Sequence, residues 1–185
     1  TPAIRYLFLS MIRSGSNVQR HLGCAMIVAA WLLVLGLLYA LFDDYLDRRH
    51  NPNRNLSIQS NAGATELALK RNRAGHYILP GVINGRPVSF MVDTGATTVA
   101  VPAHLGPALG LVPGATQWAM TANGNIRVRA TLIADLGIGP FRLREVRANL
   151  NPGMAGDQVL LGMSALRQME FTQRGDTLIL RPNGS

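Results

Sequence analysis

The chain of 185 residues carries 18 Lys and Arg against 10 Asp and Glu, a formal charge of +8, and is rich in Gly and Pro but poor in aromatics. Its one cysteine, Cys24, excludes an intramolecular disulfide and has no polar sequence neighbour to activate it as a nucleophile. His21, His50, His76 and His104 are isolated, and no phosphate-cradling Gly-rich loop or Gly-x-Ser-x-Gly elbow occurs, so no metal, no cofactor and no serine-hydrolase chemistry is expected.

The first predicted element is a transmembrane helix over 22–42. This stretch holds no charge, and its length meets the roughly 20 residues that a helix needs to cross a bilayer. A cleaved signal peptide would have an apolar core of about 7–15 residues ending in a small-x-small site, and Tyr39-Ala40-Leu41-Phe42 is not one. All-round apolarity without caps also argues against a buried core helix. Arg5, Arg13 and Arg20 precede the stretch, whereas Asp43, Asp44 and Asp47 follow it, before Arg48 and Arg49. The basic excess on the N-terminal side places 1–21 in the cytoplasm and the rest of the chain outside it. The expected location is therefore the inner membrane, crossed once, with the downstream domain in the periplasm.

Residues 43–65 are polar and rich in Asn, Arg and Ser, and read as a flexible linker. From 66 to 182 the pattern is of short strands and turns, a mainly β domain large enough for one core. Strands are predicted at 66–70, 76–83 and 86–92, the last two forming a hairpin across Asn84-Gly85 with a type I′ turn. A short helix is predicted over 102–109, with Pro102 in its first turn and Gly110 as its stop. Strands over 117–122 and 125–135 form a second hairpin across Asn123-Gly124. A strand follows at 141–150, then a short helix through Gln168 capped by Ser164, and a last pair, 170–173 and 177–180, around Arg174-Gly175-Asp176. Arg127 and Arg129 alternate along one strand, and Arg142 and Arg144 along another, so each pair faces one side of a sheet. That describes either a solvated face or a patch suited to anionic membrane surface or acidic peptide segments. No aromatic interleaves with these arginines to stack bases, and no nucleic-acid partner is expected.

The chemistry-bearing segment is Val88-Ser89-Phe90-Met91-Val92 followed by Asp93-Thr94-Gly95-Ala96-Thr97. An apolar strand ends and presents one carboxylate in a turn that Gly95 makes sharp. Asp-Thr-Gly by itself is also an ordinary turn sequence. Its context is what sets it apart, because Val159-Leu160-Leu161-Gly162-Met163 repeats the pattern of an apolar strand ending in glycine. With Val82 to Pro87, Phe90 to Val101, Thr121 to Gly124, Leu160 to Leu166 and Leu178 to Pro182 in this order, the segment over about 67–182 resembles the bacterial, membrane-anchored, retropepsin-like aspartic protease family. Only the loop 151–157 departs from that pattern.

The resemblance implies a retropepsin-like half-barrel in which Asp93 is catalytic and Thr94, Gly95, Ala96 and Thr97 support the active-site loop. Leu161 and Gly162 would form the second strand-glycine element of the core. The hairpin bearing Trp118, Met120, Ala122, Asn123 and Gly124 would be a flap closing over a bound peptide. Trp118 and Met120 share a face, either core or cleft. Val92, Val99 and Ile126 are expected to line the cleft and favour apolar side chains beside the cut. Aspartic proteolysis needs two carboxylates, and of the remaining aspartates, Asp43, Asp44, Asp47, Asp135, Asp157 and Asp176, none precedes Thr-Gly or Ser-Gly. The second carboxylate would therefore come from a second copy, making the active species a homodimer acting on protein or peptide substrates. A non-catalytic peptide-binding module on the same fold, and a basic module for nucleic acid or anionic lipid, are the competing readings.

Overall fold

Apolar runs without helical period can satisfy their backbone groups only by pairing with other strands. The computed structural model describes residues 21–42, 45, 50–61, 64–121 and 124–183. Among these, eleven strands form two sheets. The strands are β1 (Ser57–Asn61), β2 (Ala64–Lys70), β3 (Ile78–Ile83), β4 (Arg86–Val92), β5 (Val99–Pro102), β6 (Thr116–Thr121), β7 (Gly124–Ile138), β8 (Phe141–Asn151), β9 (Gln158–Leu161), β10 (Met169–Arg174) and β11 (Thr177–Pro182). The first sheet has the order β1-β2-β11-β10 and is antiparallel throughout. The second has the order β3-β4-β9-β5-β8-β7-β6, and β3 also pairs with β7, so the sheet curls back on itself as a half-barrel. Two of its pairings, β4 with β9 and β5 with β8, are parallel. Leu67 and Leu180 from the first sheet and Phe90, Ile133, Leu136 and Leu161 from the second belong to one buried cluster. Each such side chain contributes roughly 1.5–3 kcal/mol by leaving water.

The chain divides into two units, Thr1–Asp47 and Arg48–Ser185. In the first, helix α1 runs over His21–Phe42, 22 residues with none of its apolar window buried. At 1.5 Å per residue it spans about 33 Å, which matches the roughly 30 Å of a bilayer core. It is long and apolar enough to cross a membrane, a test that an N-terminal signal sequence also passes. The charged residues that set its expected orientation, Arg5, Arg13 and Arg20 on one side and Asp43, Asp44, Asp47, Arg48 and Arg49 on the other, lie outside the described residues.

Several elements depart from the sequence expectation. The expected linker 43–65 contains β1, which pairs with β2 in the register Ser57 to Ala68 and Ile58 to Leu67. Just before it, Asn53 is buried and stitches the chain to two strands: its Nδ2 donates to Lys70 O (2.9 Å) and Ile78 O (2.7 Å), and Lys70 N donates to its Oδ1 (2.6 Å). One polar residue of this segment thus serves main-chain recognition, while Arg54, Asn55, Ser57 and Gln59 are exposed. The helix expected over 102–109 is a single 3-10 turn, Ala103–Leu105, preceded by β5 and followed by turns. Pro107 has no N–H to continue it. Asn84 (φ 49°) and Gly85 (φ 78°) make the predicted β3–β4 turn. In the second hairpin Gly124, expected in the turn, pairs with Thr121 and belongs to β7. Ala122 and Asn123 lie outside the described residues. The strands β7 and β8 change phase at Glu145, which adopts φ 52°. Phe141 and Leu143 point inward before it, and Val146, Ala148 and Leu150 after it.

Replacing Asn53 by Ala strands two carbonyls and an amide that the side chain now satisfies. A loss of about 1–3 kcal/mol is expected, read as a lowered urea midpoint of the β domain with unchanged m-value.

Candidate active site

The strand order β4-β9-β5 dictates the geometry of the Asp93 loop. The chain leaves β4 at Val92, passes over the end of β9 and re-enters the sheet as β5 at Val99. The end of β9 is therefore enclosed by the loop 93–98. Asp93 N donates to Leu161 O (3.1 Å), Met163 N to Ala96 O (2.8 Å), and Ser164 N to Thr97 O (3.1 Å). Gly162 sits where a Cβ would strike the carbonyl oxygens of Thr98 and Ala96. The two strand-glycine elements read from the sequence are thus brought together, and a glycine at 162 is what permits their closeness.

Within the loop, Asp93 is half-buried and Gly95 N donates to its Oδ1 (2.9 Å), while Ala96 N donates to Asp93 O (3.3 Å). The first bond holds the carboxylate against its own turn; the second closes the turn. Thr94, Gly95 and Thr97 are exposed and Ala96 is half-buried. Thr94 lines a cavity of about 270 Å³ with His76, Tyr77, Val92 and Phe171. Ser164, expected as a helix cap, has another role. The N-cap of α2 (Met163–Leu166) is Gly162 in extended conformation, and no side chain caps the helix. Ser164 Oγ instead donates to Arg147 O (2.6 Å) and accepts from Val99 N (3.0 Å), tying β8 and β5 to the end of the loop.

Strand alternation decides which residues share a face with the carboxylate. Phe90, Val99, Val159 and Leu161 point into the core, and Val92 packs against it. Val99 is therefore not an open cleft residue, contrary to expectation, whereas Val92 is half-buried and lines the cavity beside Thr94. On the opposite face, register aligns Met91, Leu160, Ala100, Asn149 and Ala130 in one row across five strands. Asp93, two residues beyond Met91, continues this face. The hairpin β6–β7 follows the same rule. Ala119 pairs with Ile126 and Gln117 with Val128, on the face of Ala130, whereas Trp118 pairs with Arg127 and Met120 with Asn125 on the other. Trp118 is 67% and Met120 88% exposed, so neither is core. They lie on the side away from the Asp93 row, and Gln117, Ala119, Ile126 and Val128 are the hairpin residues that share its side. The Arg127 guanidinium stacks 5.2 Å from the Trp118 ring centroid, so one arginine does carry an aromatic partner. Among the described residues no cluster of His, Cys, Asp and Glu could hold a metal.

Residues 79–168 match the family described as "gag-polyprotein putative aspartyl protease". A retropepsin-like aspartic protease from Rickettsia conorii, known from its crystal structure, is similar with a TM-score of 0.56 and 29% identity, over 69% of this chain and 96% of that one. The chain belongs to a retropepsin-like aspartic protease family. It is 33% identical over 134 residues to an uncharacterized protein in the cobV 5' region of Sinorhizobium sp, and 29% identical over 119 residues to an uncharacterized protein of Rickettsia prowazekii (strain Madrid E). These alignments take in 70% and 62% of this chain but 58% and 51% of the two relatives, so the chain spans little more than half of their length. The retropepsin-like region so matched contains both strand-glycine elements and the hairpin β6–β7.

Sequence reasoning missed Asn149 and the bridging role of Ser164. The signal for Asn149 was a carboxamide between Ala148 and Leu150, two apolar residues that are buried in β8.

Gly162→Ala should force the loop carbonyls of Ala96 and Thr98 apart. A loss of about 2 kcal/mol or more is expected from the backbone clash, measured as a drop in thermal midpoint, with Leu161→Val as the milder control at about 1 kcal/mol.

Proposed function

We propose that the protein is an aspartic endopeptidase, active as a homodimer and tethered to the inner membrane by α1 with its protease domain in the periplasm. The observation that carries the reading is the half-buried Asp93 carboxylate, delivered at the end of a core strand in a loop pinned around Gly162. A family that hydrolyses peptide bonds with a water molecule needs two such groups, and this chain has one Asp-Thr-Gly turn.

The symmetry argument has physical support in the fold. Strand β10 is at the edge of its sheet and exposed over five of its six residues. Phe171 on this strand is 39% exposed and lines the same cavity as Thr94. An unpaired edge strand is a template for a second chain, and pairing about a two-fold axis sets each residue near that axis against its twin. A copy docked along β10 would cover Phe171 and bring the two Asp93 loops together.

In such a dimer, two carboxylates about 3 Å apart share one proton, as is established for aspartic proteases. The ionised carboxylate takes a proton from the water, which attacks the scissile carbonyl. The protonated carboxyl hydrogen-bonds the carbonyl oxygen and stabilises the charge that develops there. No acyl-enzyme forms. Substrate lies as an extended strand on the Asp93 face, with Ala119 and Ile126 of β6–β7 above it and Met91 and Leu160 below.

Full-length protein in detergent, assayed on a diverse peptide mixture from acidic to neutral pH, tests this directly. Asp93→Asn should lower cleavage by at least about 10³-fold. Excess Asp93→Asn chains added to wild type should suppress its activity by forming dead heterodimers. Equal cleavage by wild type and Asp93→Asn would refute the catalytic role, and activity indifferent to the added variant would refute the dimer.

A further inference from the structure

The hairpin β6–β7 has a face that the catalytic reading leaves unused. Cross-strand pairs set Thr116 beside Arg129, Trp118 beside Arg127 and Met120 beside Asn125 on the side away from Asp93. Trp118 is 67% and Met120 88% exposed. Two large apolar side chains adjacent on one strand face and both in water mark a place of contact.

The charges around them have one sign. No Asp or Glu occurs between Asp93 and Asp135, so the hairpin and the segment that leads into it carry positive charge alone. The Arg127 guanidinium stacks 5.2 Å from the Trp118 ring centroid and has no carboxylate partner among the described residues. Stacking on the ring face leaves the N–H donors at the guanidinium edge open to an anion. Arg129 has a bracing role: its Nε donates to Gly114 O (2.7 Å), and Thr131 Oγ1 donates to Val112 O (2.9 Å). The segment 112–114 is thereby tied to β7, and the hairpin face stands on a braced backbone.

We propose that this face docks on an anionic lipid surface; this rests on the reading of α1 as a membrane tether. The chemistry favours lipid over an acidic peptide. An indole ring settles at the boundary of headgroup and acyl chain, a thioether side chain enters the acyl region, and a guanidinium pairs with phosphate. An acidic peptide would answer Arg127 and leave Met120 in water. The chain length favours it too. The backbone from Phe42, the last residue of α1, to Asn53, which is bonded to Lys70 and Ile78, cannot exceed about 40 Å at full extension. A domain so tethered stays near the surface, and a weak contact is enough to hold it there.

The test uses full-length protein with Trp31→Phe, which leaves Trp118 as its one tryptophan. It is reconstituted in vesicles of phosphatidylcholine, or of phosphatidylcholine and phosphatidylglycerol two to one, each containing phosphatidylcholine brominated on the acyl chain as quencher. Trp118 fluorescence should be quenched on the mixed vesicles and far less on phosphatidylcholine alone. The quenching should fall at about 1 M salt, where the screening length is about 3 Å. Arg127→Gln should lower the docked-to-free ratio about fivefold, and Met120→Ser should lower it as well. Flotation of the vesicles at high salt reads the tether separately. Protein that floats at high salt but shows no Trp118 quenching on either composition would overturn the docking and keep the tether. Protein released by salt, yet quenched at low salt, would sink the tether and keep the docking. Equal quenching on the two compositions, or quenching that neither variant alters, would overturn the proposal. So would a blue shift of Trp118 with polyglutamate as large as that on the mixed vesicles, which would assign the face to acidic peptides.

Discussion

The packing of one backbone through another is the constraint on which the site depends. Strand β9 runs between β4 and β5, and the loop that joins those two strands must pass over its end. The fit is tight enough that the carbonyls of Ala96 and Thr98 occupy the space a side chain at 162 would need. Glycine is thus required for steric closeness, which is a different use from conformational freedom. Three main-chain bonds and the Ser164 hydroxyl convert that closeness into a fixed loop. A carboxylate on such a loop is held in position before any ligand arrives, which is what electrostatic catalysis asks of a protein.

The rest of the domain reads as support for that crossing. Two sheets share one apolar cluster, and residues that meet the loop from below, Leu161, Val99 and Leu166, are fully buried in it. The half-barrel closure between β3 and β7 fixes the opposite edge of the larger sheet, leaving β6 and the end of β7 to extend as a hairpin. The first sheet ends in β10, an exposed edge beside the cavity that Thr94 lines. The site therefore has a rigid floor and an unpaired margin.

Much of this was legible in the sequence because it rests on local rules. Asn84-Gly85 announced its turn, the apolar run before Asp93 announced a core strand, and Leu160-Leu161-Gly162 announced the second element. Faces were harder. Alternation shows that Trp118 and Met120 lie together, but not that the partner strand turns Ala119 and Ile126 toward the Asp93 side. Val99 was expected in the cleft, yet parity buries it in the core, while Val92 keeps to the core side and reaches only the cavity beside Thr94. Strand β1 was hidden by its polar residues, since the bonds of Asn53 to Lys70 and Ile78 join positions far apart in the chain. The role of Ser164 was hidden in the same way, for its partners are Val99 and Arg147. What depends on contacts across such distances is not written in any local pattern.

The central claim is that one catalytic centre is made by two chains. Its most direct measurement is calorimetric titration of the full-length protein with a peptide whose scissile amide is replaced by a tetrahedral hydroxyl-bearing isostere. The account predicts saturation at one ligand per two chains. Saturation at one ligand per chain would contradict it.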